Sequence, residues 1–433
     1  MNNTKRTILM PVWEGGGNVP PVLAAARKLL AAGHSVRILS DACNGPEVLA
    51  TGAAFTAWTH APSRPDKSAA SDFLRDYEAP DPAEGLGRVI DRIMCGPAHA
   101  YATDTLQAIE EVRPDLVLTN ELLMGPMVAA EAARLPFALY CPNISLAPMV
   151  GVPPLGPGLQ PAKNVEEEAL HAQIAAGNAA LFNRGLPALN AARAKFGLPA
   201  LGHVYEQWEK AEAVLLATAR AFDFTPPVLP PGFSYVGPQF HDEASDKSWV
   251  SPWMQADARP LILVSFSTTA QGQAPALQRV IDAASGLPLR LLVTLGPALA
   301  GQDFVVPDNV RLVQRAPHRI VMRDAVAVVC HGGHGTVMRG LAQKRPLLVM
   351  PMGRDQNDNA ARVAYHGAGL VADPARATKE EIATCLMRLI DEPGFAAAAS
   401  RLGQNIGAEA MASPLIPLIE KICADLDSSP AAA

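Results

Sequence analysis

The sequence has no long hydrophobic run and no cluster of basic residues. The apolar stretch at residues 7–12 is too short for a signal peptide or a membrane span, which needs about 20 apolar residues, and no other run reaches that length. The formal net charge is −6, with lysine and arginine scattered along the chain, which disfavours nucleic acid as a partner. We therefore expect a soluble, cytoplasmic protein with no membrane span and no nucleic-acid partner.

Paired cysteines and a well-placed metal motif are also missing. The six cysteines include no C-x-x-C pair, so reduced core thiols are expected. The D-x-D sequence Asp425-Leu426-Asp427 lies at the polar tail and not at the edge of a predicted sheet. No metal site is indicated.

Length and apolar content indicate two α/β domains. The chain has 433 residues, more than one hydrophobic core usually organises, and 49% of them are apolar. Residues 7–39 have the strand, helix, strand pattern of a β-α-β unit, which predicts a parallel sheet, and residues 213–218 are predicted to be the last strand of that sheet. The predicted divisions are 1–225 for an amino-terminal Rossmann-like domain, 226–250 for a proline-rich linker, 251–395 for a carboxy-terminal domain and 396–433 for the last helices and the tail.

A glycine-rich turn joins a strand to a helix in the second half. Residues 326–330 form an apolar, β-branched run typical of a buried parallel strand, and residues 336–344 have a helical pattern. Unpaired N–H groups at a helix start bind anions, and glycines let a phosphate approach the main chain. Glycine is also common where a helix packs tightly on a sheet, so a turn that binds nothing is the alternative. The candidate residues are His331, Gly333, Gly335 and Thr336.

A polar loop follows the next predicted strand, residues 346–350. It contains Asp355 and Gln356, at the carboxyl end of the strand, where ligands of open α/β sheets bind. A carboxylate accepts from two hydroxyls while an amide both donates and accepts, so the pair suits a polyhydroxylated ligand. The alternative is an acidic cap on the helix that follows.

Together these motifs resemble the donor signature of nucleotide-sugar-dependent glycosyltransferases with the GT-B fold. The similarity is to the family-1 group, which holds plant UDP-glycosyltransferases and bacterial macrolide and natural-product glycosyltransferases. It implies that His331 and the glycine turn bind the donor diphosphate and that Asp355 and Gln356 hold the sugar hydroxyls. It also places the following residues at the donor: Ser267, Thr268, Arg315, Ala316, His318 and Arg339.

Several donor positions depart from the family pattern. Arg315 stands where the family usually has a tryptophan that stacks on uracil, and Arg339 stands where it has a glutamate that binds the ribose. A guanidinium can stack on a base and also pair with phosphate. Arg339 or Arg354, together with His331 and the helix N-terminus, would meet the charge of the leaving group without a metal.

The catalytic positions depart as well. Residues 15–21 resemble the family's Gly-His-Val-Asn-Pro motif, but Asn18 replaces the histidine base and Asn120 replaces the aspartate that orients it. An amide cannot take a proton at neutral pH. Asn18 as a helix N-cap and Asn120 as a turn residue are the structural alternatives. Catalysis would then use Glu14 or Glu121 as the base, an acceptor that is already deprotonated, or late proton loss to water or to the leaving diphosphate.

The acceptor pocket of the family corresponds to residues 54–100 and to the Pro/Gly loop 149–158. The first segment carries Phe55, Trp58 and Tyr77 among charged residues and prolines. These aromatics either line a pocket or fill a satellite core. The apolar Pro/Gly loop suits the wall of a hydrophobic acceptor site.

The resemblance predicts an α/β protein with the GT-B fold. Two Rossmann-like domains with parallel sheets would face each other, and a carboxy-terminal helix would cross back to the first domain. The implied activity is inverting transfer of a hexose from a UDP- or dTDP-sugar to a small, largely hydrophobic natural product, phenol or acid. The nucleotide sugar is a co-substrate, and no other cofactor and no metal is expected. A catalytically silent nucleotide-sugar binder, favoured by the two amides, and a nucleotide-sugar epimerase on the same fold are the alternatives.

Overall fold

The protein contains two parallel β-sheets in a computed structural model that describes residues 4–240, 249–253 and 257–428. In these residues the first sheet has seven strands in the order β3-β2-β1-β4-β5-β6-β7. Each pairing is parallel. The strands are β1 Thr7–Pro11, β2 Ser35–Ser40, β3 Ala54–Ala57, β4 Leu116–Thr119, β5 Phe137–Cys141, β6 Ala213–Leu216 and β7 Phe233–Tyr235.

The second sheet repeats this arrangement with six strands within the described residues, in the order β10-β9-β8-β11-β12-β13. Its pairings are also parallel. In each sheet the strand order reverses beside the first strand, and ligands of open α/β sheets bind at such a switch point. The strands are β8 Leu261–Ser265, β9 Arg290–Thr294, β10 Val310–Val313, β11 Ala325–Cys330, β12 Leu347–Val349 and β13 Gly369–Val371.

Helices cover the sheets because the central strands are apolar on both faces and must bury both. None of the helices in the described part of the chain is long and apolar enough to cross a membrane. The first-domain helices are α1 Val19–Ala31, α2 Gly45–Leu49, α3 Pro82–Val89, α4 Ala98–Val112, α5 Met124–Ala132, α6 Val165–Phe182 and α7 Leu186–Lys195. The others are α8 Ala274–Ala284, α9 His318–Asp324, α10 His334–Ala342, α11 Gln356–Tyr365, α12 Lys379–Asp391, α13 Pro393–Met411 and α14 Leu415–Ser428.

The last two helices belong to different domains. Leu402 and Ile406 of α13 lie in a core cluster of the second domain. Leu415 and Ile419 of α14 share a cluster with β1 and α1 of the first domain, and Glu420 lies 3.3 Å from the imidazole of His34. The chain therefore crosses back to the first domain at its carboxyl end.

A first-domain segment is seated in the second domain. Ala219 and Phe222, which lie between β6 and β7, are fully buried in the core cluster that contains Leu261 and Val328. Arg362 of α11 binds Asp223 on this segment, with Nε and an Nη 2.8 and 2.7 Å from Oδ1. The two domains are joined through this shared apolar cluster as well as through the connecting chain.

The predicted linker and the end of the first sheet need correction. Residues 213–218 are not its last strand, because β7 lies inside the predicted linker 226–250 and pairs with β6. Prolines on either side and a length of three residues concealed this strand in the sequence. Residues 241–248 of the linker, residues 254–256 and both termini, 1–3 and 429–433, lie outside the described residues.

Candidate active site

A cleft of about 1420 Å³ lies at the carboxyl ends of the two sheets. Every residue predicted for the site lines it, so the structure brings the two groups of motifs together. The first-domain members are Glu14, Asn18 and Asn120. The second-domain members are Ser267, Thr268, Arg315, Ala316, His318, His331, Gly333, Gly335, Thr336, Arg339, Asp355 and Gln356. Their contacts with a donor stay predictions.

The glycine turn after β11 is shaped by its neighbours. Gly332 has φ +92°, and a Cβ there would lie 2.8 Å from Cγ1 of Val349. A Cβ on Gly333 would overlap the imidazole of His331. By contrast, a Cβ on Gly335 would have no heavy atom within 4 Å. The turn is therefore tightly packed on the protein side and open at Gly335.

The first turn of α10 offers main-chain donors to the cleft. The N–H groups of Thr336 and Val337 both donate to the carbonyl of Gly333, at 3.0 and 3.1 Å. The first N–H groups of a helix have no partner inside it and carry the positive end of its dipole. Those of His334 and Gly335 are thus available to an anion, as predicted for a phosphate site.

His331 and His318, which both line the cleft, are neutral at physiological pH. Burial lowers the pKa of His331 to about 4, and the positive charge of Arg354 adds to this effect. Burial and the charge of Arg339 likewise lower the pKa of His318 to about 4. A neutral imidazole donates one hydrogen bond and accepts another. His331 can therefore donate to a phosphate oxygen without carrying a charge.

Asp355 and Gln356 differ in how they are engaged. Asp355 precedes α11 without capping it through its side chain, and its Oδ2 accepts from Nδ2 of Asn359 at 2.9 Å. The amide of Gln356 accepts from the N–H of Met352 at 2.7 Å and donates to Gln271 at 3.0 Å. Asp355 is thus the N-cap residue of α11, as the alternative predicted, but it makes no side-chain capping bond. Gln356 holds the loop in place with both ends of its amide.

The turn after β8 meets the glycine turn of the first domain. Ser267 Oγ lies 3.0 Å from Thr269 Oγ1 and accepts from the N–H of Thr269, whereas Thr268 is exposed. A Cβ on Gly16 would lie 2.9 Å from Cγ2 of Thr269 and 3.0 Å from Oγ1 of Thr268, and Gly16 has φ +80°. Only glycine allows the two turns to approach so closely.

Asn18 and Asn120, which replace the family's histidine base and its aspartate, both form hydrogen bonds within their own turns. Asn18 Nδ2 donates to the carbonyl of Trp13 at 2.8 Å, and its Oδ1 accepts from the N–H of Gly15 at 3.1 Å. Asn18 occupies the N-cap position of α1, as the alternative predicted, but its side chain makes no capping hydrogen bond to the helix. Asn120 Oδ1 accepts from the N–H of Leu122 at 2.8 Å, which is the predicted turn role.

Replacing Asn18 with alanine tests this assignment. The carbonyl of Trp13 and the N–H of Gly15 each lose one hydrogen bond and keep only the 3.1 Å bond to each other. We therefore expect the free energy of unfolding to fall by about 1–3 kcal/mol and turnover to fall only modestly. Denaturant unfolding and initial rates on the same preparation measure both quantities. Abolished turnover in a folded variant would instead assign Asn18 a direct part in the chemistry.

The two candidate carboxylates sit in different surroundings. Glu14 is drawn into its own turn, because Oε1 accepts from the N–H of Gly16 at 2.8 Å and Oε2 lies 3.5 Å from Nζ of Lys67. Glu121 follows β4 and also lines the cleft. Its Oε2 accepts from the N–H of Leu146 at 3.0 Å and from Oγ of Ser145 at 3.3 Å.

Burial raises the pKa of Glu121 to about 7, and the negative charge of Asp355 also raises it, while the hydrogen bonds oppose the shift. A carboxyl group with a pKa near neutrality is suited to take a proton during a reaction at neutral pH. Of the two carboxylates, Glu121 therefore has the properties of a general base.

Arg354 has a different partner from the one that the sequence suggested. Its guanidinium binds both oxygens of Asp76 in the first domain, at 2.6 and 2.9 Å, and this pairing fixes it across the cleft. Its role at the leaving group stays a prediction, because the side chain lines the cleft and its charge acts on His331. No local sequence signal marks the contact, because the two residues are 278 positions apart.

Apolar side chains form the wall of the first-domain end of the cleft. They are Leu86, Val89, Leu146, Leu155, Ile174 and Leu181. Of the aromatics considered in the sequence, Trp58 is buried and packs edge-on against Tyr101, whereas Tyr77 lines the cleft. Both sequence interpretations of this segment thus hold, for different residues.

Comparison with known proteins shows what this chain is similar to in sequence and in fold. Residues 278–424 match the model of the Erythromycin biosynthesis protein CIII-like C-terminal domain. The chain is 26% identical over 422 residues to 4'-demethylrebeccamycin synthase of Lentzea aerocolonigenes, covering 95% of this chain and 98% of that protein.

Solved structures share the architecture. The glycotransferase of kitacinnamycin superposes with a TM-score of 0.73 at 23% identity, covering 96% of this chain and 99% of that one. The glycosyltransferase VinC in complex with dTDP superposes with a TM-score of 0.66 at 20% identity, covering 97% and 100%. At these identities the likeness establishes the fold.

Two facing Rossmann-like domains, with the glycine turn between β11 and α10 at their cleft, define a glycosyltransferase of the GT-B fold. Within that class, the chain is similar to bacterial macrolide and antibiotic glycosyltransferases.

Proposed function

We propose that this glycosyltransferase inverts the anomeric centre as it moves a hexose from a UDP- or dTDP-sugar to a small, largely apolar acceptor. The observation that carries the proposal is the open first turn of α10 at Gly335, beside the neutral His331 and across the cleft from Glu121. This arrangement offers an anion site, a sugar site and a base in one cleft.

In this proposal the donor diphosphate lies on the N-terminus of α10, and Asp355 binds the sugar hydroxyls. The nucleoside extends toward the part of the cleft lined by Arg315, Ala316, His318 and Arg339. A dTDP donor has support from two sides: the similar VinC structure holds dTDP, and Arg339 replaces the family's ribose-binding glutamate. The helix dipole and His331 stabilise the leaving diphosphate without a metal.

The acceptor occupies the apolar end of the cleft between α3 and α6. Proteins similar to this chain are named for erythromycin, 4'-demethylrebeccamycin and kitacinnamycin, which supports a natural-product acceptor. An apolar wall favours a flat or hydrophobic molecule because its binding removes apolar surface from water on both sides.

The acceptor oxygen attacks the anomeric carbon from the face opposite the diphosphate. The new glycosidic bond forms as the bond to the diphosphate oxygen breaks, which gives a β-linked product from an α-linked donor. We assign the acceptor's proton to Glu121 rather than to Asn18 or Asn120, because only the carboxylate can accept it. Glu14 is the second candidate, restrained by Gly16 and Lys67.

A mass-spectrometric screen of phenols, acids and polycyclic natural products against UDP- and dTDP-sugars tests the function. We expect the wild-type protein to form a glycoside. In His331→Ala, turnover should fall by roughly 10-fold or more, since one hydrogen bond to a charged phosphate is lost. Nucleotide binding without any glycoside would indicate a silent binder. Free epimerised donor would indicate an epimerase.

A further inference from the structure

The first turn of α11 faces two sites at once. On one side Asp355 lines the cleft, and Asn359 Nδ2 binds both Asp355 Oδ2 and the carbonyl of Gly332, each at 2.9 Å. This side of the helix is thus tied to the glycine turn of the predicted donor site.

The other side of the same turn holds the Pro/Gly loop of the first domain. Asp358 accepts two main-chain hydrogen bonds, with Oδ2 2.8 Å from the N–H of Gly156 and Oδ1 3.1 Å from that of Gly158. Nδ2 of Asn357 donates to the carbonyl of Gly156 at 3.1 Å. A Cβ on Gly158 would lie 2.7 Å from the carbonyl oxygen of Asn357. The loop and the helix are therefore closely fitted.

Asp358 is buried, with 3% of its surface exposed, and it is not among the residues that line the cleft. Burial raises its pKa to about 6, opposed by the two loop N–H groups and by the charge of Arg362. At neutral pH the ionised form prevails, and both oxygens can accept. The buried carboxylate of Asp358 already accepts hydrogen bonds from two main-chain N–H groups of the other domain, which indicates a structural role and not a ligand contact.

The loop reaches the acceptor end of the cleft. Leu155 and Pro157 line it, and the carbonyl of Leu155 accepts from Nδ2 of Asn178 on α6 at 2.9 Å. Ile174 and Leu181 of α6 belong to the apolar wall. A continuous set of contacts therefore runs from the acceptor wall through the loop to α11.

We propose that Asp358 is a positioning residue for the acceptor: by holding Gly156 and Gly158 it fixes the acceptor wall relative to the sugar site on the same helix. The inference rests on the proposed function, since it takes the apolar end of the cleft as the acceptor site. Asp358 contacts neither the donor nor the acceptor. Its removal weakens acceptor binding and leaves nucleotide binding intact.

Replacing Asp358 with alanine tests this proposal. We expect the acceptor KM to rise roughly 10-fold or more, because one lost hydrogen bond to a charged group corresponds to about that factor. The Kd for dTDP or UDP alone should stay within about twofold of the wild-type value. Hydrolysis of the sugar donor should increase relative to transfer, because a loosened wall admits water.

Asp373→Ala is the matched control. Asp373 also accepts from two main-chain N–H groups, those of Ala375 and Arg376 at 2.7 and 3.1 Å, in the second domain but away from the loop. The Asp373→Ala substitution should leave the acceptor KM unchanged. Gly158→Ala breaks the same contact from the loop side, so its effect should not add to that of Asp358→Ala.

The outcomes separate this inference from the proposed function. A wild-type protein without any glycoside product would overturn the function itself. An active wild type whose acceptor KM is unchanged in Asp358→Ala, with nucleotide binding intact, would overturn only the positioning role. Equal losses of nucleotide and acceptor affinity would also overturn it, because they indicate general damage to α11.

Discussion

Glu121→Gln is expected to lower kcat for hydroxyl acceptors by ~10²–10⁴-fold, the usual contribution of a general base. Glutamine keeps the shape and the acceptor oxygen that binds Leu146 and Ser145, so the fold and the acceptor KM should change little. Initial rates with a phenol and with an alcohol, together with thermal unfolding, measure the two effects. The activity of the variant toward acceptors that are already ionised should fall much less, since these acceptors release no proton.

The pH profile provides an independent measurement. The carboxyl takes a proton only in its ionised form, and its pKa is about 7. In the wild type, kcat/KM should therefore rise as the pH increases through about 7 and level off above it. The variant should lack this limb of the profile.

Glu14→Gln is the matched control for the other carboxylate of the cleft. Glu14 is held by Gly16 and Lys67, so its replacement should preserve the limb near pH 7. If Glu14→Gln removes the limb and Glu121→Gln keeps it, Glu14 is the base and the assignment to Glu121 is wrong.

Gly335→Ala should strongly weaken nucleotide binding while leaving the free protein folded. A Cβ at this position meets no heavy atom within 4 Å in the protein, and alanine in a helix is more favourable than glycine by about 1 kcal/mol. The methyl group would instead occupy the space proposed for the diphosphate. We expect the Kd for dTDP to rise roughly 10²-fold or more, equivalent to the loss of one or two hydrogen bonds to a charged group.

Gly407→Ala in α13 is the control, because a Cβ there also meets no heavy atom within 4 Å. Both variants should be at least as stable as the wild type in denaturant unfolding, but only Gly335→Ala should lose binding in calorimetry. Unchanged dTDP affinity in a folded Gly335→Ala protein would place the diphosphate elsewhere. Gly333→Ala is less informative, because its methyl group would also displace the ring of His331.

The local parts of the site could be predicted from the sequence. A strand, a glycine turn and a helix follow one another within a few residues, so their pattern predicts the turn after β11 and the polar loop after β12. The parallel topology then brings carboxyl ends together at one edge. These rules are sufficient to predict that the separate site residues, the first being Glu14 and the last Gln356, line one cleft.

Contacts between distant segments could not be predicted in this way. The pairing of Asp358 with Gly156 joins positions 202 residues apart, and nothing in either segment specifies the other. The raised pKa of Glu121 depends on its burial in the fold, and the loop residues that bind its carboxylate, Ser145 and Leu146, follow only after β5. Similarly, the roles of Asn18 depend on which way its amide turns, toward Trp13 and not along α1, and the residue type alone permits both.

Phe222 has a consequence for how the two halves of the protein respond to ligands. This side chain lies between β6 and β7 of the first domain but is fully buried in the core cluster of the second domain. Separating the halves would expose it to water, so neither can lose its structure without cost to the other. A nucleotide that binds only the second half therefore also protects the first half against unfolding.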